Sequence, residues 1–266
     1  MSTPTVIKIN NVHKVFPGTE GDVVALRDIN LEIQEGQFVC LLGPSGCGKS
    51  TLLNAIAGFS LPTTGNITVH GKVVTEPGPD RGMVFQEYAL FPWMSVEDNI
   101  TFGLRIKKED PKKIQNKLEE LLKMLKLTEF KKRYPKDLSG GMRQRVAIAR
   151  VLALDSPIML MDEPFGALDA LTRRSLQDEL LKVWNEYKKT VIFVTHSIEE
   201  AIYLADRIVV MSYRPGTVKK DIVVDMPRLR NPTSPEFNLL KKELSELVMA
   251  EQMRFEDAHM RGTTGD

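Results

Sequence analysis

The chain has 266 residues, 42% of them hydrophobic, enough to bury a sizeable core as one large domain or as a core with a lobe. Its 36 basic and 35 acidic residues are well mixed and leave a formal net charge of +1, which disfavours a nucleic-acid or anionic-lipid footprint. The opening MSTPTVIKINNVHK has no apolar signal region and no apolar run approaches the roughly 20 residues that span a bilayer, so a cytosolic chain is expected, with Cys40 and Cys47 as reduced thiols.

Residues 6–33 read as two extended segments around the turn FPGTEGD, with alternating apolar positions in VVALRDINLEI. Phe16, just ahead of Pro17, has two readings: a core phenylalanine, or a ring that stacks on a purine base. The apolar run 38–42 leads into GPSGCGKST, where Gly43, Gly48, Lys49 and Ser50 fit G-x-x-x-x-G-K-S/T in strand, loop, helix order. Gly43, Gly46 and Gly48 are expected to take positive φ and aim successive N–H groups at one point, reinforced by the dipole of the helix beginning near Lys49. Such a nest binds phosphate. Lys49 is expected to reach the β- and γ-phosphates, Ser50 to ligate Mg²⁺ bridging them, and Thr51 to touch the α-phosphate.

Residues 65–74, GNITVHGKVV, alternate like a hairpin and with the N-terminal strands predict a small antiparallel sheet. A buried strand over 82–85 then ends at Gln86, whose amide suits a ligand at the carboxyl edge of a parallel sheet. Tyr88, Leu90, Phe91, Pro92, Trp93 and Met94 form an aromatic loop, either a local core or a surface for a partner helix. Residues 110–127 place Ile114, Leu118, Leu121, Leu122 and Leu125 at helical spacing, with charges on the other face.

Ser139 is a candidate N-cap for a helix over 142–154, and with Gly140 and Gly141 it makes a second anion-binding helix terminus. Residues 158–161 read as a buried parallel strand that delivers Asp162 and Glu163 to its carboxyl end; the first suits Mg²⁺ through water, the second a general base. A turn over 166–169, a helix over about 172–188 and the strand TVIFVT ending at His196 follow. Strand-like runs at 207–211 and 218–224 and an amphipathic helix over 237–253, a cap on the core, complete the chain.

Over residues 5–230 the sequence resembles the ATP-binding subunit of ABC transporters. The phosphate loop, the Gln86 loop, LSGGMRQ at 138–144, the IMLMDE strand, the ALD turn and His196 occur in family order and at family-like spacing. The resemblance implies a RecA-like P-loop α/β core with an antiparallel β-subdomain and an α-helical subdomain at about 88–154. These form one domain of residues 1–230, followed by a helical tail at 231–266. It implies ATP and Mg²⁺ as cofactors: Phe16, Gly43, Pro44, Ser45, Gly46, Cys47, Gly48, Lys49, Ser50, Thr51, Ser139, Gly140, Gly141 and Asp169 bind nucleotide, and Ser50, Gln86 and Asp162 serve the metal. In that scheme Glu163 polarises the attacking water, His196 contacts the γ-phosphate, Lys49 offsets its charge and Gln86 senses metal and water. Phe16 takes an adenine-stacking place that the family most often fills with Tyr.

The resemblance also implies partners. Two such subunits, identical or homologous, close head to tail around two ATP molecules, with the phosphate loop of one facing Ser139, Gly140 and Gly141 of the other. They work at the cytoplasmic face of a membrane with two integral-membrane permease subunits and, through the complex, an extracytoplasmic solute-binding protein, not with nucleic acid. The segments EPGPDRGMVFQEYALFPWMSVEDNI, MSYRPGTV and MPRLRNPTSPEFNLLKKEL look like importers of nitrate, aliphatic sulfonates, taurine or bicarbonate. A soluble ABC-type ATPase acting on nucleic acid or the ribosome is the alternative, opposed by the single cassette, short helical lobe and near-zero charge. A regulatory module without turnover needs neither Glu163 nor His196. His13, His70 and His259 lack ligand spacing and read as surface or edge residues. Arg143, Arg145 and Arg150 are spread around the signature helix, with dimer closure open for Arg143 beside solvated or lobe-packing roles.

Overall fold

The computed structural model describes residues 3–19 and 21–262, with side chains as far as residue 254. In chain order its elements are β1 (Thr5–Phe16), β2 (Val23–Gln34), β3 (Phe38–Leu42), α1 (Lys49–Ala57), β4 (Thr64–Val69), β5 (Lys72–Val73), β6 (Arg81–Val84), α2 (Val96–Ile106), α3 (Pro111–Met124), α4 (Gly140–Ala153), β7 (Ile158–Asp162), α5 (Ala170–Tyr187), β8 (Thr190–Thr195), α6 (Ile198–Leu204), β9 (Arg207–Met211), β10 (Val218–Val223) and α7 (Pro235–Gly262). They form two compact units, one of the residues up to 78 with those from 190 onward, the other of residues 79–189. Among the described residues no helix is long and apolar enough to cross a membrane.

The first unit holds the expected antiparallel sheet, in strand order β2-β1-β4-β5. In β2 the alternation is interrupted where Asp28 takes φ 49° and the partner of Ile29 becomes Val12, a bulge that returns Ile29, Leu31 and Ile33 to the buried face. Parallel pairing sets β3 between β8 and β9, while β10 closes the edge antiparallel to β9. All five residues of β3 and all six of β8 are buried, the continuous apolar pattern of strands covered on both faces. Leu42 pairs with Thr195, so the chain leaves β3 at Gly43 and β8 at His196 at the same level of the sheet. That shared carboxyl edge is where a parallel sheet offers a ligand its opening.

Two devices after β9 hold this edge. Arg230, 4% exposed, donates to the carbonyls of Ile202 and Ala205 at 2.6 Å each, and to those of Met226 and Val224, so it satisfies the end of α6. Burial pushes its guanidinium down to about 10, which leaves it charged at neutral pH. Helix α7 packs on α6 and buries Phe237 and Leu244. It runs beyond the predicted 237–253 at both ends, and its inward side includes a buried carboxylate, Glu251, that an amphipathic cap does not call for.

The second unit pairs β6 with β7 in parallel, and its helix α4 packs on β6 and against α2, α3 and α5. Asp110 caps α3 with Pro111 at its first position, close to the predicted start. Helix α2 was not anticipated from spacing, although Ser95 and Asp98 form a reciprocal cap at its start: the Asp98 N–H donates to Ser95 Oγ, which donates back to Asp98 Oδ2. The Asp98 carboxyl lies below its ordinary range, chiefly through the Ser95 hydrogen bond. Of the three histidines read as surface or edge residues, His70 is exposed at φ 47° in the turn between β4 and β5 and His13 is half-buried in β1. His259 lies outside the described side chains.

Candidate active site

Three glycines shape the 43–48 loop for three different reasons. Gly46 has φ 78° and nothing within 4 Å of where a Cβ would be, so its requirement is conformational. Gly48, at φ 94°, also sits 2.7 Å from Leu26 Cδ2 at that point. Gly43 corrects the sequence expectation: it is not among the positive-φ residues, and its need is space, since a Cβ would stand 2.8 Å from Cys47 Sγ and 2.9 Å from the Met211 carbonyl. Gly48 ends the loop as the N-cap of α1 with no side-chain cap bond, so the amino end of a nine-residue helix opens on the loop.

Lys49 is 4% exposed, and its ammonium donates to the carbonyls of Gly43 at 2.8 Å and Pro44 at 2.9 Å. The cation is thus stored inside its own loop by two acceptors that a phosphate, carrying full charge, can outcompete. Cys47 lies 3.8 Å from the same amine, yet burial pushes its thiol up, as it does the fully buried Cys40. Both thiols are protonated and free, in keeping with the reduced pair expected. Ser45 and Gly46 form the exposed tip, and Pro44, Ser50 and Thr51 are half-buried on either side of Lys49.

Gly43, Pro44 and Ser45 open on a cavity of about 320 Å³ whose other walls are His196, Val248 and Gln252. Its strand end brings His196 there, while Ser197, capping α6 through the Glu200 N–H, fixes the turn that follows. The two α7 residues had no signal in the sequence. Phe16 ends β1 opposite Val23 and is 40% exposed, so it is not the core phenylalanine of the first alternative; the Lys14 ammonium lies 5.0 Å from its ring centre.

Behind the loop, Gly216 lies so close that a Cβ would be 2.2 Å from the Cys47 carbonyl and 3.1 Å from that of Ala25. Its own N–H donates to Ala25 O at 3.0 Å and its carbonyl accepts from Arg27 N–H at 2.9 Å, so it has no freedom to retreat. Gly216→Ala is expected to push the 43–48 loop out of shape at a cost of about 1–3 kcal/mol. A lower melting temperature in a calorimetric scan is the expected result.

In the second unit Val84 pairs with Met161, so β6 and β7 leave their parallel pair at one level, with Gln86 two residues beyond one strand and Asp162 and Glu163 at the end of the other. Glu163 takes φ 41°, a left-handed conformation that only a tight turn sustains, and the Gly166 N–H donates to its carbonyl at 3.1 Å. Asp169 caps α5, accepting from the Leu171 and Thr172 N–H groups, and those bonds lower its carboxyl pKa, the one to Thr172 first. Ser139 accepts from the Met142 N–H and starts α4 at Gly140, two residues before the predicted 142. A Cβ on Gly141 would meet Thr172 Cγ2 at 2.7 Å, and one on Gly140 would meet Leu168 Cδ2 and the Tyr88 hydroxyl at 3.2 Å. Glycines here let the start of α4 lie against the turn that carries Asp169.

The aromatic loop is braced from beneath. Asn99, fully buried, accepts from the Phe91 N–H at 2.9 Å and donates to the carbonyls of Phe91, Met94 and Ser95. Arg150 donates to the carbonyls of Ala89 and Tyr88 and lies over the Phe91 ring, whereas Arg143 lies over Tyr88 and Arg145 pairs with Glu179. Arg145 and Arg150 therefore pack the lobe, which chain spacing alone had left open. Phe91 packs at a tilt against Phe102 and Trp93, and Trp93 remains 71% exposed.

The family model described as ABC transporter matches residues 26–166, from β2 through the turn after Glu163. An uncharacterized ABC transporter ATP-binding protein of Methanocaldococcus jannaschii is 49% identical over 248 residues, 93% of each chain. The chain belongs to the ABC transporter family. It is an ATP-binding subunit of that family and an ATPase. The nitrate import ATP-binding protein of Synechocystis is 45% identical to this cassette over 91% of this chain and 94% of its own length. The aliphatic sulfonates import ATP-binding protein of Bacillus thuringiensis is 47% identical, covering 90% and 94%. A solved ATP-binding cassette, in a dimeric post-hydrolysis state bound to ADP and Pi, superposes on 83% of the cassette with a TM-score of 0.73 at 35% identity. The ABC ATPase fold expected from the motifs is the fold of these neighbours.

Proposed function

We propose that this ABC ATPase powers the import of nitrate, an aliphatic sulfonate, taurine, bicarbonate or a similar small solute. The observation that carries the reading is that both nitrate and sulfonate import ATP-binding proteins match it over nine-tenths of both chains. In this reading the 43–51 loop cradles the nucleotide phosphates, Lys49 leaves its two carbonyls for them, and Phe16 stacks on adenine. Glu163 acts as general base and His196 contacts the γ-phosphate. The donors assigned to magnesium, the Ser50 hydroxyl, the Gln86 amide and the Asp162 carboxylate, all offer oxygen, as a hard cation that arrives with phosphates and keeps its waters requires. Bound there, the ion would offset phosphate charge.

The dimeric state of the solved neighbour supports a second cassette, identical or homologous, whose Ser139, Gly140 and Gly141 face this one's ATP. The subunit then works at the cytoplasmic face of a membrane beneath two permease subunits, with a solute-binding protein outside. Residues 88–94 form the docking loop: Asn99 and Arg150 hold its backbone still while Trp93 stays open to a partner helix. Trp93→Ala is expected to weaken assembly with the permease by about thirtyfold or more, the scale of an aromatic anchor. Its ATP affinity should stay at the parental value, and unimpaired co-purification from membranes would remove the loop from the interface.

The reading as a whole is tested by purifying Glu163→Gln with Mg·ATP from detergent-solubilised membranes and identifying what accompanies it by mass. A multispanning permease in stoichiometric amount supports it, and uptake assays with nitrate and alkanesulfonate in cells lacking that permease assign the solute. Ribosomal proteins without a permease would replace it by the soluble class.

A further inference from the structure

Helix α7 reaches the phosphate loop by two routes. Val248 and Gln252 line the cavity onto which Gly43, Pro44, Ser45 and His196 open. Between them Glu251 is 1% exposed, and its carboxylate accepts from the Tyr213 N–H at 3.0 Å and pairs with Lys219 at 3.2 Å and Arg254 at 3.0 Å. A carboxylate is tolerated at such depth only when its oxygens are satisfied, and a helix that merely capped the core would place an apolar residue here.

The segment that Glu251 grips, residues 212–217, is the back support of the phosphate loop. Ser212 Oγ bonds the Thr217 hydroxyl and N–H and the Pro215 carbonyl, which closes the segment on itself. From it Arg214 Nε donates to the Gly46 carbonyl at 3.3 Å, and Gly216 sits beneath Cys47 with no room for a Cβ. The Gly46 carbonyl and the Cys47 N–H are opposite ends of one planar peptide, so a grip on the first sets the direction of the second. Gly46, at φ 78°, is the most permissive residue of the loop tip and the one that gains most from an outside hold.

We propose that Glu251 is a positioning residue of the nucleotide site: from α7 it fixes the 212–217 segment and, through Arg214, the peptide between Gly46 and Cys47 that the bound phosphates meet. The inference rests on the reading of residues 43–51 as the phosphate site. It makes the C-terminal helix a determinant of ATP affinity.

The test is an equilibrium titration of the full chain with ATP, followed by displacement of a fluorescent nucleotide, with melting temperatures recorded in parallel. Glu251→Ala and Arg214→Ala are each expected to weaken ATP binding about tenfold, the scale of one hydrogen bond to a charged group. Because both act along one route, the double variant should be no weaker than the weaker single. Glu251→Gln, which keeps the volume, replaces the alanine variant if that one does not fold. A lowered melting temperature with parental ATP affinity in the Glu251 variant would reduce it to a structural anchor and overturn the proposal. So would parental affinity in Arg214→Ala, or losses that multiply in the double variant. Lys49→Ala is the control: if it too leaves ATP affinity intact, the phosphate-site reading has failed.

Discussion

Glu163→Gln is expected to slow ATP turnover by about 10²–10⁴-fold, the span of a lost general base. The amide has the shape of the carboxylate, so the turn that holds residue 163 at φ 41°, closed by the Gly166 N–H, should persist. What disappears is the capacity to take a proton from water. ATP binding should therefore survive, and the fall should appear in single-turnover hydrolysis of γ-labelled ATP as well as in the steady state, because the chemical step itself is slowed. With hydrolysis blocked, the nucleotide-bound dimer should accumulate on a sizing column with light-scattering detection. A variant that still turns over within about tenfold of the parent would take the base role from Glu163.

Lys49→Ala is expected to weaken ATP binding by about 10²-fold, the equivalent of one or two charge-assisted hydrogen bonds to phosphate. Lys49 is unusual in being almost wholly buried while its ammonium bonds two carbonyls and a thiol of its own loop. Alanine is a strong helix former and continues α1. The ATP-free protein should then melt close to the parent. The difference should appear when nucleotide is added: at 100 times the parental Kd, ATP stabilises the parent by about 2.7 kcal/mol, and the variant by only about 0.4 kcal/mol. Parental stabilisation of the variant in a thermal-shift titration would show that the lysine does not meet the phosphates.

Much of the frame is legible in the residues because the signals are local. Continuous apolar runs mark β3, β7 and β8 as buried parallel strands, and the residue after each is polar or glycine: Gly43, Glu163 after Asp162, and His196. The helix start at Ser139 follows from capping chemistry within four residues, and the helix from 110 onward follows from the spacing of its leucines. Helix α2 is less legible because its buried apolar positions, Val96, Ile100 and Leu104, follow directly on the aromatic loop 88–94 and are only three in number, although Ser95 and Asp98 mark its start.

The sequence by itself determined the main strands, the G-x-x-x-x-G-K-S/T pattern between β3 and α1 and the family, because each depends on spacing within a few turns of chain. Only the tertiary structure decided why Gly43 is a glycine, since the obstacles are Cys47 and the distant Met211 carbonyl rather than its own φ. It likewise decided that Phe16 stays partly exposed, that Asn99 and Arg150 brace the aromatic loop, and that Glu251 and Gly216 belong behind a loop some 170–205 residues earlier. Contacts of that separation have no period to read; they exist only once parallel strands bring distant segments to one edge, where close packing rather than local propensity chooses the side chain.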